Sequence, residues 1–433
     1  MKFTLALSAA AVVVLGLSDV AEAVPRFAAR NGNECIQCHI NPTGGGIRNA
    51  YGRNVFERTW LPRRKKPRPA DWVVPPAAAD PAGDGSGSGS AAGAADDDDD
   101  VFFAPEINPW MVLGGDLRMA YILVRPDRGA TPDQDPDITS SFFLMQADLY
   151  HSMTLNQHVT TVLDIGAYSG FEAWALYHWK TEPAPYDVML RAGRFMPAFG
   201  IREVEHQLFT RAGVGLGQTD RDTGLELTAF AGPVTASVSL VNGTLGDAGF
   251  DNHGTERRRF EKAVVGRLSA RTDLGWARGQ LGASFYANQN SNQANPLFGR
   301  SIPSADLGEV GTGVDEVRAG AFVTANLGRF TYLADLVWVR DSFYSDRLAP
   351  LRGYASYQEL SFLPTQGVDL IGTFEFADPD LDLLDNSAKR VGLVAEIFPW
   401  PFTELRAMVR KSWDDASATG GSWDVVLFSH LFM

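Results

Sequence analysis

The sequence predicts an all-β fold over residues 102–433: a membrane-spanning antiparallel β-barrel of about 16 strands, with about 14 or 18 as neighbouring solutions. A small, mostly helical or irregular module precedes it. Three observations carry the prediction. Apolar and polar residues alternate with period two in run after run. The links between runs are short and long in turn. Tryptophans fall near run ends, at Trp110, Trp179, Trp276, Trp338, Trp400 and Trp423, where an amphipathic ring suits a membrane interface. Composition agrees: 45% of the 433 residues are hydrophobic and 21% charged, and a mean hydropathy of −0.11 excludes a bundle of apolar helical spans. The net charge of −14 argues against nucleic acid as a partner.

Residues 1–23 have the form of a signal peptide. Lys2 supplies the positive end, Leu5 to Leu17 an almost unbroken apolar core, and Ala21-Glu22-Ala23 the small-x-small cleavage pattern. The rest of the chain is then expected to work outside the cytoplasm. Residues 24–70 hold ten Lys or Arg against two Glu and form a basic module. Residues 71–101 are rich in Pro, Ala, Gly, Ser and Asp, including GSGSGS and the run Asp96 to Asp100. Such a stretch cannot bury enough apolar side chain to offset its ordering entropy, and reads as a flexible tether. Five consecutive Asp lack the spaced ligands and glycine of a calcium loop, so the run reads as a solvated acidic segment.

Both cysteines of the chain lie in Cys35-Ile36-Gln37-Cys38-His39. Two thiols at this spacing can form thioethers to the vinyl groups of one haem while the adjacent histidine ligates its iron, which accounts for all three residues at once. The alternatives are a redox dithiol or disulfide, which would want a thioredoxin-like βαβ context, and zinc, which would need further ligands. His39 is the only histidine between residues 24 and 100. The cofactor expected is therefore one covalent haem c, held by Cys35, Cys38 and His39, with His39 the iron ligand. Residues 24–100 contain no methionine, so a second axial ligand is expected from elsewhere in the chain, with His158 and His430 favoured, or from a partner or water. Gly44, Gly45 and Gly46 would let the backbone fold closely over a flat cofactor. Tyr51, Phe56 and Trp60 recur near helical spacing as ring cover or module core. Arg48, Tyr51 and Arg53 are the candidate haem-pocket residues, the two arginines as partners of the propionates. The cluster from Arg63 to Arg68 reads as a solvated basic surface or a dock for an acidic redox partner or anionic lipid headgroups.

Sixteen runs carry the strand pattern: 109–125, 138–155, 158–170, 172–182, 187–198, 222–231, 234–243, 258–271, 276–289, 313–327, 330–341, 351–363, 367–376, 388–398, 403–413 and 423–433. In 276–289, Leu281, Ala283 and Phe285 oppose Gln280, Ser284 and Tyr286. In 313–327, Val317, Ala319, Ala321 and Val323 oppose Glu316, Arg318 and Thr324. Links such as Asn156-Gln157, Gly232-Pro233 and Thr365-Gln366-Gly367 are short, whereas 126–137, 199–221, 244–257 and 290–312 are long. A soluble sandwich has no reason to sort loop length this way; a barrel with one short-turn rim and one long-loop rim does. Arg191 and Arg194 have opposite parity, which calls for a local bulge or a position beyond the hydrocarbon band.

At these residues the chain resembles bacterial outer-membrane porins. The run from Arg191 to Gly200, followed by a long loop with Arg202, His206 and Arg211, is similar to the approach to a porin constriction loop, and Trp423 to Met433 to a closing strand. That family's closing strand usually ends in an aromatic residue; here Phe432 is penultimate. Together with the haem motif, the chain resembles porin–cytochrome fusions of bacteria that move electrons to or from the cell surface. The resemblance implies an outer-membrane barrel of a Gram-negative cell, an N-terminal haem module in the periplasm, and electron transfer at or across the outer membrane with periplasmic or extracellular cytochrome partners. The other reading is a diffusion porin for ions or small solutes whose haem module is a sensor or plug. The wall contacts outer-membrane lipid in either case. A catalytic haem enzyme is less well supported, because no distal His and Arg pair can be placed.

Overall fold

A strand whose side chains alternate between apolar and polar has two incompatible faces, and closing the sheet on itself gives each face its own solvent without leaving an unpaired edge. The computed structural model does this. It describes residues 25–49, 51–52, 106–108, 110–129, 135–156, 158–167, 170–180, 186–203, 205, 207–217, 220–243, 262–290, 314–343, 349–400, 402–417 and 419–432. The strands are β1 (Glu106–Asn108), β2 (Met111–Pro126), β3 (Thr139–Thr154), β4 (Val159–Gly166), β5 (Gly170–Lys180), β6 (Tyr186–Phe195), β7 (Asp222–Ala231), β8 (Val234–Val241), β9 (Ala263–Asp273), β10 (Ala277–Asn290), β11 (Val314–Leu327), β12 (Phe330–Phe343), β13 (Leu351–Thr365), β14 (Val368–Asp378), β15 (Ala388–Trp400), β16 (Thr403–Asp414) and β17 (Gly421–Phe432). β2 to β17 form a closed ring of sixteen antiparallel neighbours. The ring shuts between β17 and β2, from Ser422 opposite Pro126 to Phe432 opposite Asp116. Short β1, not expected from the sequence, pairs only with the start of β2.

The two faces fall as the alternation requires. On β10, Leu281 and Phe285 are exposed while Ser284, Tyr286 and Asn288 are buried. On β12, Leu336 and Trp338 face outward, and Thr331, Asp335 and Asp341 inward. The tryptophans singled out near strand ends, Trp110, Trp179, Trp276, Trp338, Trp400 and Trp423, are all exposed. An apolar exterior around a charged interior is the pattern of a barrel set in lipid.

On β6 the opposite parity of the two arginines stands without a bulge, because pairing with β5 and β7 runs unbroken through both. Arg191 is buried in the lumen against Glu226. Arg194, on the other face near the strand end, donates to the Phe171 carbonyl at 3.1 Å and lies over that ring, 5.1 Å from its centroid.

The lumen is not empty. The segment before the barrel forms α1 (Pro25–Asn31) and the one-turn α2 (Cys35–Cys38). Its contacts are with inward-facing wall residues. Arg26 bonds Glu359 on β13 at 3.0 Å and Glu396 on β15 at 2.8 Å, and lies 3.4 Å from Asp369 on β14. Arg30 bonds Thr331 on β12 and both oxygens of Asp369. The described part of the predicted periplasmic module thus lies inside the barrel, at the rim of short turns, rather than below it on a tether. The physical reason is charge: a basic segment meets carboxylates that face inward from three neighbouring strands. The linker and residues 53–70 lie outside the described residues.

Candidate functional site

The Cys–Cys–His segment is built as a small unit within the lumen. In α2 the His39 amide donates to the Cys35 carbonyl at 2.9 Å, and the Glu34 amide donates to the Gln37 side chain at 2.8 Å, closing the turn at its start. Beyond it the chain folds back: His39 pairs with Arg48 in an antiparallel bridge, and the Ile40 amide donates to the Ile47 carbonyl at 3.1 Å. The loop of this hairpin uses Gly44, Gly45 and Gly46, with φ of 88°, 77° and 61°. Three successive left-handed residues are a conformation that only glycine adopts without strain. Asn49 then donates to the carbonyl of Gln37 at 3.0 Å, holding the returning chain against α2.

The wall holds the hairpin in place. Asn41 donates to Glu172 on β5 at 3.3 Å and accepts from Arg191 on β6 at 2.7 Å; Arg191 in turn bonds Glu226 on β7 at 2.5 Å. Ile47 packs on the buried ring of Tyr150. The loop after β6 turns inward to meet the hairpin from the other side. Arg202 donates to the Thr43 hydroxyl at 2.8 Å, Arg211 to the Phe199 carbonyl, the Gly200 amide to Ser284 at 2.8 Å and the Phe209 amide to Glu375 at 3.0 Å. This loop enters the lumen and carries two of the three candidate pore-loop residues, Arg202 and Arg211. His206 lies outside the described residues.

The motif side chains suit a c-type haem. Cys35 and Cys38 are free thiols, both partly exposed. Burial, with the neighbouring Glu34 carboxylate, pushes the Cys35 thiol up to about 11, against the pull of Arg267 and Arg202. Burial, together with the Arg48 and Arg202 charges, pushes His39 down to about 3. The imidazole is thus neutral, the form that binds iron. The ring lies against the backbone of Gly45 and Gly46, so the glycine hairpin sets its orientation. Cys35 also opens onto a cavity of about 300 Å³ at the short-turn mouth.

The outlying candidates take other roles. Arg48 lies over the ring of Phe432, 4.4 Å from its centroid, so the penultimate aromatic of the closing strand faces the lumen and backs the motif. The Tyr51 hydroxyl meets the Asn33 side chain at 3.2 Å. Arg53 lies outside the described residues. Of the two favoured donors of a second axial ligand, His430 is engaged on both ring nitrogens, by Glu404 at 3.0 Å and Asp116 at 2.5 Å, and His158 on one, through Nδ1 with the His178 carbonyl at 3.0 Å. Sequence reasoning missed Asn41, Thr43, Glu172 and Arg191, which fix the hairpin to the wall. For Glu172 and Arg191 the one signal was strand parity, which marks inward residues without pairing them; Asn41 and Thr43, in the hairpin itself, gave none.

Fold and site together define a class: a closed sixteen-strand antiparallel barrel whose lumen is entered by its own N-terminal segment and by the loop after β6. No protein-family model and no curated protein sequence matches the chain. Among solved structures it is similar to OmpT, an outer-membrane protein of Vibrio cholerae, at 11% identity over 75% of this chain and 97% of that one, with a TM-score of 0.47. It is also similar to the anion-selective porin from Comamonas acidovorans, at 12% identity, 75% and 99% coverage and a TM-score of 0.49. The outer membrane channel DcaP of Acinetobacter baumannii gives 10% identity, 75% and 97% coverage and a TM-score of 0.48.

Proposed function

We propose that this protein is an outer-membrane barrel that carries one covalent haem c in its lumen and passes electrons between the two sides of the membrane. The observation that carries this reading is the position of Cys35, Cys38 and His39 among inward-facing wall residues, between a cavity at the short-turn mouth and the inward loop. When bound, the haem supplies one-electron exchange between Fe(II) and Fe(III). The chain does the rest. Cys35 and Cys38 hold the macrocycle by thioethers and His39 offers a neutral nitrogen to the metal. The hairpin and the inward loop restrict water, and Arg191, Arg202 and Glu172 fix the hairpin's position. One haem does not bridge a hydrocarbon crossing of about 30 Å by itself, so the remaining distance falls to a redox partner or a small redox solute that enters the long-loop mouth. Periplasmic and extracellular redox partners would then exchange electrons at the two mouths.

The test is chemical. Acid-acetone extraction followed by haem-stained denaturing electrophoresis should leave the stain on the protein band. The double variant Cys35→Ala, Cys38→Ala should lose it while the barrel keeps its heat-modifiable mobility. A properly matured preparation without stain would contradict the proposal.

A second reading, passage of ions or small solutes, is favoured by the charged inner face and by a further cavity of about 390 Å³ at the long-loop mouth, lined in part by Arg390, Arg410 and Asp424. It requires a continuous path past the hairpin and the inward loop. Steady porin-scale current through the loaded wild-type protein in a planar bilayer would favour it; a closed trace favours the first.

A further inference from the structure

The outer wall changes character along one line near the long loops. On the neighbouring strands β9 to β12 the outward positions run apolar and turn polar at the last step. On β12 the exposed Leu336 and Trp338 give way to Arg340, and on β11 Val317 gives way to Asp315. On β10 Ala287 gives way to Gln289, and Lys262 precedes Val264 where β9 begins. Register sets these changes side by side, with Gln289 opposite Asp315 and Val317 opposite Arg340. A wall set in lipid turns polar where the hydrocarbon ends, and an exposed tryptophan one step away marks that boundary. Along the line lies a groove of about 440 Å³, with Val264, Ala287 and Val317 on its apolar side and Lys262, Asp315 and Arg340 on its polar side. Arg340 is exposed and makes no ion pair among the described residues. Its cross-strand partner on β13 is Arg352, which is also exposed. Like charges directly opposite one another are unfavourable, and Asp382 answers only one of the two, bonding Arg352 at 2.9 Å.

We infer that this groove seats the phosphate-bearing headgroup of a lipid in the leaflet at the long loops, with Arg340 and Arg352 holding one phosphate between them. The occupant must be apolar at one end and anionic at the other. The groove meets hydrocarbon on the side of Val264 and Val317 and cations at its rim; a lipid matches both sides, a soluble anion only one. Guanidinium forks match pairs of phosphate oxygens, and a phosphate between the two arginines turns their mutual repulsion into a shared attraction. The site lies on the outer face of the wall and is independent of the haem reading, whose residues lie in the lumen.

The experiment titrates full-length protein in neutral detergent with lipid A in its diphosphorylated and its dephosphorylated form, and native mass spectrometry reads the bound lipid. The variants are Arg340→Gln, Arg352→Gln and the charge-retaining Arg340→Lys, with Arg329→Gln, an exposed arginine in the short turn between β11 and β12, as control. Heat-modifiable mobility reports the folding of each. The wild type should prefer the diphosphorylated lipid, and each Gln variant at the groove should bind it about tenfold more weakly, the scale of one lost charge-assisted contact. Arg340→Lys should keep most of the affinity, Arg329→Gln should match the wild type, and inorganic phosphate at the lipid's concentration should not displace it. Equal affinity for the two lipid forms, or none for either, would overturn the inference. So would wild-type binding by Arg340→Gln, an equal loss in Arg329→Gln, or displacement by inorganic phosphate, which would mark a site for the soluble anion. Should the Gln variants fail to fold, the comparison of the two lipid forms on the wild type decides by itself.

Discussion

Arg26 is the residue on which the filling of the lumen turns. Its guanidinium is 1% exposed and meets carboxylates from three strands, Glu359, Asp369 and Glu396. A buried ion cluster of this kind adds little over a well-packed apolar one, but removing one partner leaves the others uncompensated, at a cost of about 3–5 kcal/mol. Arg26→Gln should therefore loosen the N-terminal segment. The readout is the Cys35 thiol in protein made without haem. With its pKa raised to about 11, little thiolate exists at pH 8, and labelling by a membrane-impermeant maleimide should run about a hundredfold slower than for a free cysteine of pKa about 8.5. The rate should climb as pH rises towards 11, and Arg26→Gln should bring it close to the free value. Fast labelling of the unsubstituted protein at pH 8 would show that the thiol is not shielded. At this scale the Cys-x-x-Cys-His motif stood out in the sequence because its five residues are contiguous. The partners of Arg26 were not: the pair with Glu359 is 333 residues apart in sequence, and alternation says which carboxylates face inward but not which cation they meet.

Among the elements, most strand ends were legible to within about two residues, though β4, predicted over 158–170, ends at Gly166. Predicted 222–231 is β7, Asp222–Ala231, and predicted 313–327 is β11, Val314–Leu327. Alternation over ten or more residues is a strong signal because one slip would expose a whole row of charges to lipid. The α1 and α2 helices, of seven and four residues, are too short for periodicity to announce and depend on the wall for stability. The lipid face makes its own prediction. Leu281 is 66% exposed on the outside of β10, and Leu281→Arg or Ala321→Arg should each destabilise the barrel by about 2–4 kcal/mol near the midplane, measured by denaturant titration in detergent or vesicles. Values near zero would place these side chains away from lipid. The polar inner residue Thr324, replaced by Ser, should change the same titration far less.

For the whole molecule, the charge difference between the barrel and the N-terminal segment is met, among the described residues, by Arg26 and Arg30 on inward carboxylates. Residues 101–433 hold 40 acids against 27 bases, and residues 24–70 ten bases against two acids. Composition displayed this asymmetry from the start; only the closed sheet turns it into a location, because the ring gathers Glu359, Asp369 and Glu396 on one side of one mouth. Releasing the segment should open the lumen. The double variant Arg26→Gln, Arg30→Gln should raise single-channel conductance over the wild type, and an unchanged trace would mean that the segment does not obstruct the path. The central claim, that the haem-bearing lumen carries electrons across the membrane, is tested most directly in sealed vesicles containing trapped ferricyanide and the loaded full-length protein. An external, membrane-impermeant reductant should bleach the trapped ferricyanide, and vesicles with the Cys35→Ala, Cys38→Ala protein should not bleach. Equal bleaching by both proteins, or none by either, would contradict the account.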